Sequence, residues 1–81
     1  MYTQEEIRTR VLLLDGVLYK KGGTNEYHLI TADTGWVIAF AVKPDCITVI
    51  TQMHVHFDYE DRELYTRADS PFEHRKEKVA V

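Results

Sequence analysis

Two histidines one residue apart, His54 and His56, are the residues of this chain whose types and spacing best suit chemistry. They stand in the stretch TQMHVHFDYE, and Asp58 follows at the same spacing. Side chains two positions apart on a strand point to the same face, so we expect these three groups to lie together. The pattern allows a metal site, acid–base catalysis or a solvated strand face.

A metal site would use His54, His56 and Asp58, because imidazole nitrogens and carboxylate oxygens are ordinary zinc ligands. His28 is an alternative third ligand. The same spacing is common in exposed strands, and Cys46, as the only cysteine, offers no paired-cysteine motif. We therefore rank a metal-binding module below the other hypotheses and expect no cofactor.

Metal-independent RNA cleavage needs a proton acceptor, a proton donor and a cation that stabilises the developing negative charge. His54 or His56 would exchange protons, because histidine titrates near neutral pH. The rest of the set would be Tyr65, Arg62 and Lys43. The structural alternative, in which the tyrosine packs in the core and the arginine pairs with an acid, ranks first on the residues alone.

Composition limits the function further. A chain of 81 residues forms one domain with little room for a cofactor cavity. Ten Lys and Arg against thirteen Asp and Glu give a net charge of -3, which disfavours direct nucleic-acid binding. The single cysteine favours a reducing compartment, and the run VLLLDGVL is too short to span a membrane. We expect a cytoplasmic protein with no leader and no membrane association.

The elements that must position these residues begin with a helix over about residues 4–14. Thr3 and Glu6 form a capping box, and Ile7, Val11 and Leu14 make one apolar stripe. The following Asp15-Gly16 predicts the end of the helix, since glycine accepts a left-handed conformation.

Strands follow the helix. The β-rich runs are VLYK, EYHLITA, WVIAFAV and CITVITQMHVHF, separated by short polar breaks. They predict a four-stranded antiparallel meander, with WVIAFAV as its buried central strand. In the last run, alternation places Ile47, Val49, Thr51, Met53, Val55 and Phe57 on the core face.

The C-terminal third of the chain predicts a second, short helix over YEDRELYTRAD, with Asp58 as its N-cap. Ser70-Pro71 ends it. The fold class is therefore α+β, with an N-terminal helix packed on the sheet and a short C-terminal helix. Residues 1–71 form the domain, and residues 72–81 form a charged tail that we expect to be flexible.

Three segments carry a resemblance to a known family: TQEEIRTRVLLLDG, WVIAFAVKPDCITVITQMHVH and the later DREL, Tyr65 and TRA. Together they resemble the RelE/ParE superfamily of small toxins and related uncharacterised domains. In the RNA-cleaving members, a basic residue or histidine near the end of the last strand acts with a nearby tyrosine. The resemblance implies these roles for His54 or His56 and for Tyr65.

The leading functional hypothesis is a small acidic interaction protein that binds and inhibits or regulates a larger protein or ribonucleoprotein. Its partner-binding residues would be Asp58, Glu60, Asp61 and Glu63. Carboxylates on such a surface can occupy a site built for phosphates. A RelE-like endoribonuclease is the alternative, and a metal-binding module ranks third. The edge of VLYK leaves a homodimer open.

Overall fold

The computed structural model describes residues 1–54, 59–69 and 79–80. One helix precedes six strands in this part of the chain: α1 (Gln4–Leu13), β1 (Gly16–Lys21), β2 (Glu26–Thr31), β3 (Val37–Val42), β4 (Ile47–Met53), β5 (Tyr65–Arg67) and β6 (Val79–Ala80). The predicted α+β class is confirmed. Within the described residues, no helix has the length and apolar character needed to cross a membrane.

Helix α1 begins at the predicted capping box. The Thr3 hydroxyl accepts a hydrogen bond from the Glu6 amide at 3.2 Å, and the Glu6 carboxylate accepts one from the Thr3 amide at 3.1 Å. The helix ends one residue earlier than predicted, because Leu14 itself takes the left-handed conformation with φ 50°. Gly16 is required for another reason: a Cβ there would lie 2.0 Å from the carbonyl oxygen of Ile30 on the neighbouring strand.

The strands form one sheet in the order β5-β1-β2-β3-β4-β6. The antiparallel meander β1–β4 is confirmed. The predicted number of four strands is wrong, because β5 pairs antiparallel with β1 and β6 pairs parallel with β4. The edge of VLYK that was expected to be open for pairing with a second copy is therefore covered by β5.

The predicted second helix is wrong: residues 59–69 form turns followed by β5. A single helix-like turn does form, since the amides of Leu64 and Tyr65 both donate to the carbonyl of Asp61. Beyond it, hydrogen bonds to the β1 region replace helical ones, from the Gly22 amide to the Leu64 carbonyl at 2.6 Å and from the Ala68 amide to the Leu18 carbonyl at 2.9 Å. Tertiary pairing thus overrides the local helical pattern. The predicted cap, Asp58, lies outside the described residues.

Of the predicted tail, the structure describes Val79 and Ala80. They form β6, and the Val79 side chain is buried in the core beneath α1. The flexibility of residues 72–78 and 81, and the domain boundary at residue 71, stay predictions.

The sheet has two different faces, named here for their position relative to α1. The helix face packs against α1 and carries the hydrophobic core: Tyr2, Ile7, Val11, Leu18, Leu29, Ile38, Phe40, Ile47 and Val79. The opposite face carries the alternate residues of each strand, and the register aligns Tyr19, His28, Ala39 and Thr51 across it. As predicted, β3 is buried on both faces over its first four residues, since Val37, Ile38, Ala39 and Phe40 are all buried.

A β-bulge changes the predicted alternation in β4. Phe40 pairs with Val49 and Ala39 pairs with Thr51, which leaves Ile50 as the extra residue. Ile50 is 52% exposed, and beyond it the faces exchange. Thr51 is consequently exposed instead of lying in the core, while Gln52 bonds to the Tyr2 backbone through both ends of its amide, at 2.8 and 2.9 Å. The predicted core residues Val55 and Phe57 lie outside the described residues.

The Tyr2 hydroxyl ties the N-terminus to the β2–β3 turn. It contacts the hydroxyls of Thr31 and Thr34, and the Asp33 carboxylate at 2.7 Å. The Arg10 guanidinium lies 4.1 Å from the centroid of the Tyr2 ring and bonds to Asp33 at 2.8 Å. The hydrogen bond from Tyr2, the largest of several causes, holds the pKa of Asp33 below its ordinary value.

Candidate binding cleft

Among the described residues, those predicted for catalysis are not all assembled in one place. His54 follows β4 and is exposed, with its ring stacked on Trp36 at a centroid distance of 5.0 Å. Tyr65 begins β5, and three strands lie between β4 and β5 in the sheet. At about 4.8 Å per strand, that order separates the two residues by roughly 19 Å.

Lys43 lies in the β3–β4 turn, where its amide donates to the Cys46 carbonyl at 2.9 Å. This turn precedes β4, whereas His54 follows it, so the length of the strand separates them. Arg62 does lie beside Tyr65, because both line one cleft. His56 lies outside the described residues, and the ribonuclease hypothesis stays a prediction.

The metal hypothesis also stays a prediction, because two of its ligands, His56 and Asp58, lie outside the described residues. Within the described ranges, no three His, Cys, Asp or Glu side chains are grouped closely enough to hold a metal ion.

The opposite face of the sheet instead assembles an aromatic cluster, defined by Tyr19, His28, Tyr59 and Tyr65. The rings of Tyr19 and Tyr59 are stacked, with centroids 4.4 Å apart and an interplanar angle of 15°. Tyr65 meets Tyr59 edge-on at 4.8 Å and His28 at 5.4 Å. Strands β1, β2 and β5 supply three of the four rings, and Tyr59 comes from the turn that precedes β5.

His28 is the most buried member of this cluster, only 3% exposed. Its Nε2 lies 2.8 Å from a Glu26 carboxylate oxygen, and its Nδ1 lies 3.2 Å from the Tyr59 hydroxyl. Proton donation from Nε2 to the carboxylate leaves Nδ1 to accept from the tyrosine. Through these two contacts the buried imidazole holds Glu26 and Tyr59 in position.

The aromatic cluster also fixes the protonation state of Tyr59. Burial raises the pKa of its hydroxyl far above the ordinary value, and the nearby Tyr65 and Tyr19 hydroxyls raise it further. Tyr59 is therefore a neutral hydrogen-bonding group, and its hydroxyl is not an activated nucleophile or base at physiological pH.

Beside the aromatic cluster lies a cleft of about 610 Å³. Its described lining consists of Tyr19, Tyr59, Glu60, Arg62, Tyr65, Thr66 and Arg67. Both arginines are exposed, and in the part of the chain that the structure describes neither guanidinium forms an ion pair with a carboxylate. We call this feature the tyrosine–arginine cleft.

The cleft is bordered by residues 60–64, here called the acidic tip. Glu60, Glu63 and Leu64 are exposed, whereas Asp61 is half-buried and accepts a hydrogen bond from the Glu63 amide at 3.1 Å. Of the predicted partner-binding residues, two thus face solvent, and Asp61 supports the turn. Asp58 lies outside the described residues.

The sequence singles out Tyr65 and Arg62 for a different set, with His54 or His56 and Lys43, and it gives no indication that Tyr19, Tyr59 and Arg67 line the same cleft. Sequence reasoning treated His28 only as a spare metal ligand. One signal was available: Tyr19 and His28 occupy non-core positions of strands whose alternate residues are apolar. They lie close to Tyr59 because β5 pairs with β1. The sequence pattern of residues 59–69 predicts a helix instead, so it does not indicate this pairing.

Comparisons of this chain with protein-family models, with curated proteins and with solved structures gave no significant match. The resemblance to RelE/ParE toxins stays a prediction.

Proposed function

We propose that this protein is a non-enzymatic interaction module, whose acidic tip binds a basic surface on a larger protein or ribonucleoprotein and thereby inhibits or regulates it. The observation that carries the proposal is the way the tip is held. Tyr59 on one side and Tyr65 on the other pack into the aromatic cluster, while Glu60, Glu63 and Leu64 between them remain exposed.

A segment fixed at both ends loses little conformational freedom when it binds, so more of its contact energy appears as affinity. Backbone hydrogen bonds add to this order, since the Leu64 carbonyl accepts from Gly22 and its amide donates to Asp61. Carboxylates beside an exposed leucine suit a basic surface that contains an apolar spot. Loops on a rigid scaffold are common carriers of recognition.

The separation of His54 from Tyr65 supports binding over catalysis among the described residues. The proposal includes a cytoplasmic location, which the single cysteine favours.

The test is affinity capture from a host lysate with the wild-type protein and the double charge reversal Glu60→Lys/Glu63→Lys. The matched control is Asp15→Lys/Asp45→Lys, which makes the same charge change at exposed sites away from the tip. Asp61 is left intact because it supports the turn.

We expect one stoichiometric partner that is retained by the control and lost with the tip variant, and whose binding weakens as salt is raised. Capture that is equal for the two double variants would contradict the proposal, as would a partner insensitive to both reversals.

A further inference from the structure

We infer that the tyrosine–arginine cleft binds an aromatic ring that carries a phosphate group. This inference goes beyond the acidic tip and does not depend on the proposed partner. It rests on two observations: two guanidiniums without ion-pair partners in the described residues, and tyrosine rings that line the same cavity.

The arginines select for phosphate. A guanidinium presents a rigid fork of N–H donors that matches two oxygens of an anion. Arg62 and Arg67 together offer two such forks on one cleft. A phosphate monoester has three terminal oxygens and close to two negative charges at neutral pH, so it can engage both forks, whereas one carboxylate fully satisfies only one.

The tyrosines select for a ring. Tyr19 and Tyr59 are half-buried and both line the cleft, where Tyr65 joins them. The mutual stacking of Tyr19 and Tyr59 and the contacts of Tyr59 with His28 hold these rings in place before a ligand arrives. A cavity of about 610 Å³ is also of the size that small ligands occupy.

Glu60 makes the inference sharper, because it is the carboxylate in the described lining of the cleft. Its negative charge repels the negatively charged phosphate of the ligand. Removing the charge in Glu60→Gln should tighten phosphate binding by about twofold, the size expected for a solvent-exposed charge. The same substitution would weaken the binding of a positively charged ligand, so the direction of the change in affinity reports the sign of the ligand charge.

The experiment is a titration of the ¹⁵N-labelled protein with phenyl phosphate, followed by NMR. We expect shifts at the amides of Gly22, Tyr65 and Arg67 and none at the distant turn around Gly35. Arg62→Gln/Arg67→Gln should weaken binding at least tenfold, as expected for the loss of charge-assisted hydrogen bonds. The matched control Arg8→Gln removes a half-buried arginine of α1 and should leave binding unchanged.

Inorganic phosphate and benzyl alcohol test the two halves of the ligand separately, and each should bind at least tenfold more weakly than phenyl phosphate. Equal binding of inorganic phosphate would overturn the role of the ring. If phenyl phosphate caused no shifts, or if the Arg8 control weakened binding as much as the double variant, the inferred binding site would be wrong.

Two further ligands identify the source of the ring once phenyl phosphate binds. A phosphotyrosine peptide that binds more tightly than adenosine monophosphate assigns the cleft to a phosphorylated protein, and the reverse order assigns it to a nucleotide. Either order supports the inference. Because these titrations contain no partner protein, their failure leaves the test of the acidic tip unaffected.

Discussion

The two faces of the sheet are built on different principles. The helix face is an apolar core in which Leu29, Ile38 and Phe40 are fully buried, and its geometry follows from removing hydrocarbon from water. On the opposite face, polar contacts help to hold the rings in place, since His28 bonds to both Glu26 and Tyr59. The helix face therefore carries most of the stability, and the opposite face carries the ordered rings that line the tyrosine–arginine cleft.

The largest expected effect comes from Phe40→Ala on the helix face. Truncating a fully buried aromatic ring leaves a cavity and should lower the free energy of unfolding by about 3–5 kcal/mol. Urea denaturation followed by circular dichroism measures the loss. If Phe40→Ala lowered the free energy of unfolding less than a variant on the opposite face does, the helix face would not be the main source of stability.

His28→Ala should have the next largest effect on stability and should disturb the aromatic cluster on the opposite face. Loss of a buried group with two polar partners should cost about 1–3 kcal/mol. Because Tyr59 loses its hydrogen bond to His28, phenyl phosphate binding should weaken as well. His54→Ala is the matched control, since that imidazole is exposed and lies far from the cleft; it should leave the titration unchanged and lower stability less than His28→Ala, because among the described residues it loses only its stack on Trp36.

A pair of hydroxyl deletions compares the two sides more finely. Tyr59→Phe keeps its ring contacts and removes the hydroxyl whose partner among the described residues is His28, which should cost about 1 kcal/mol. Tyr2→Phe should cost more, because that hydroxyl has three partners on the helix side. Thermal melting of the two variants gives the order, and a larger loss in Tyr59→Phe would contradict the expected order.

The smallest effect is a pH dependence that belongs to the helix side. The pKa of Asp33 is lower in the folded chain than when unfolded, so its contribution is present above the unfolded value of 3.8 and is lost as the pH falls through the folded pKa. Tyr2→Phe removes the main cause and should flatten the stability profile between pH 5 and pH 2 by a small amount. An unchanged acid slope in that variant would argue against the Tyr2–Asp33 bond.

Sequence reasoning succeeded where local rules decide the structure. The capping box at Thr3, the stripe of Ile7 and Val11, and the meander all follow from patterns within a few residues. It failed where distant segments decide. The alternation of β4 breaks at Ile50 because of its pairing with β3, and residues 59–69 leave the helical path because β1 offers hydrogen bonds to β5.

The site divides in the same way. Charge and residue type single out Glu60 and Glu63 as a possible binding surface, and Arg62 and Tyr65 as parts of a possible ribonuclease set, and these roles stay predictions. The grouping of Tyr65 with Tyr19 and His28 instead of His54 depends on strand order, which periodicity does not contain.

The position of β5 at the sheet edge has a kinetic consequence. Strands β1–β4 are joined by short connections and close few residues of chain at each step, whereas β5 must return across more than 40 residues to reach β1. We expect the meander to form first and β5 to dock late, and its amides to exchange with solvent through local opening. Arg67 belongs to β5, which forms one wall of the tyrosine–arginine cleft. A ligand bound in the cleft should therefore slow amide exchange in β5 and leave amide exchange in β3 unchanged.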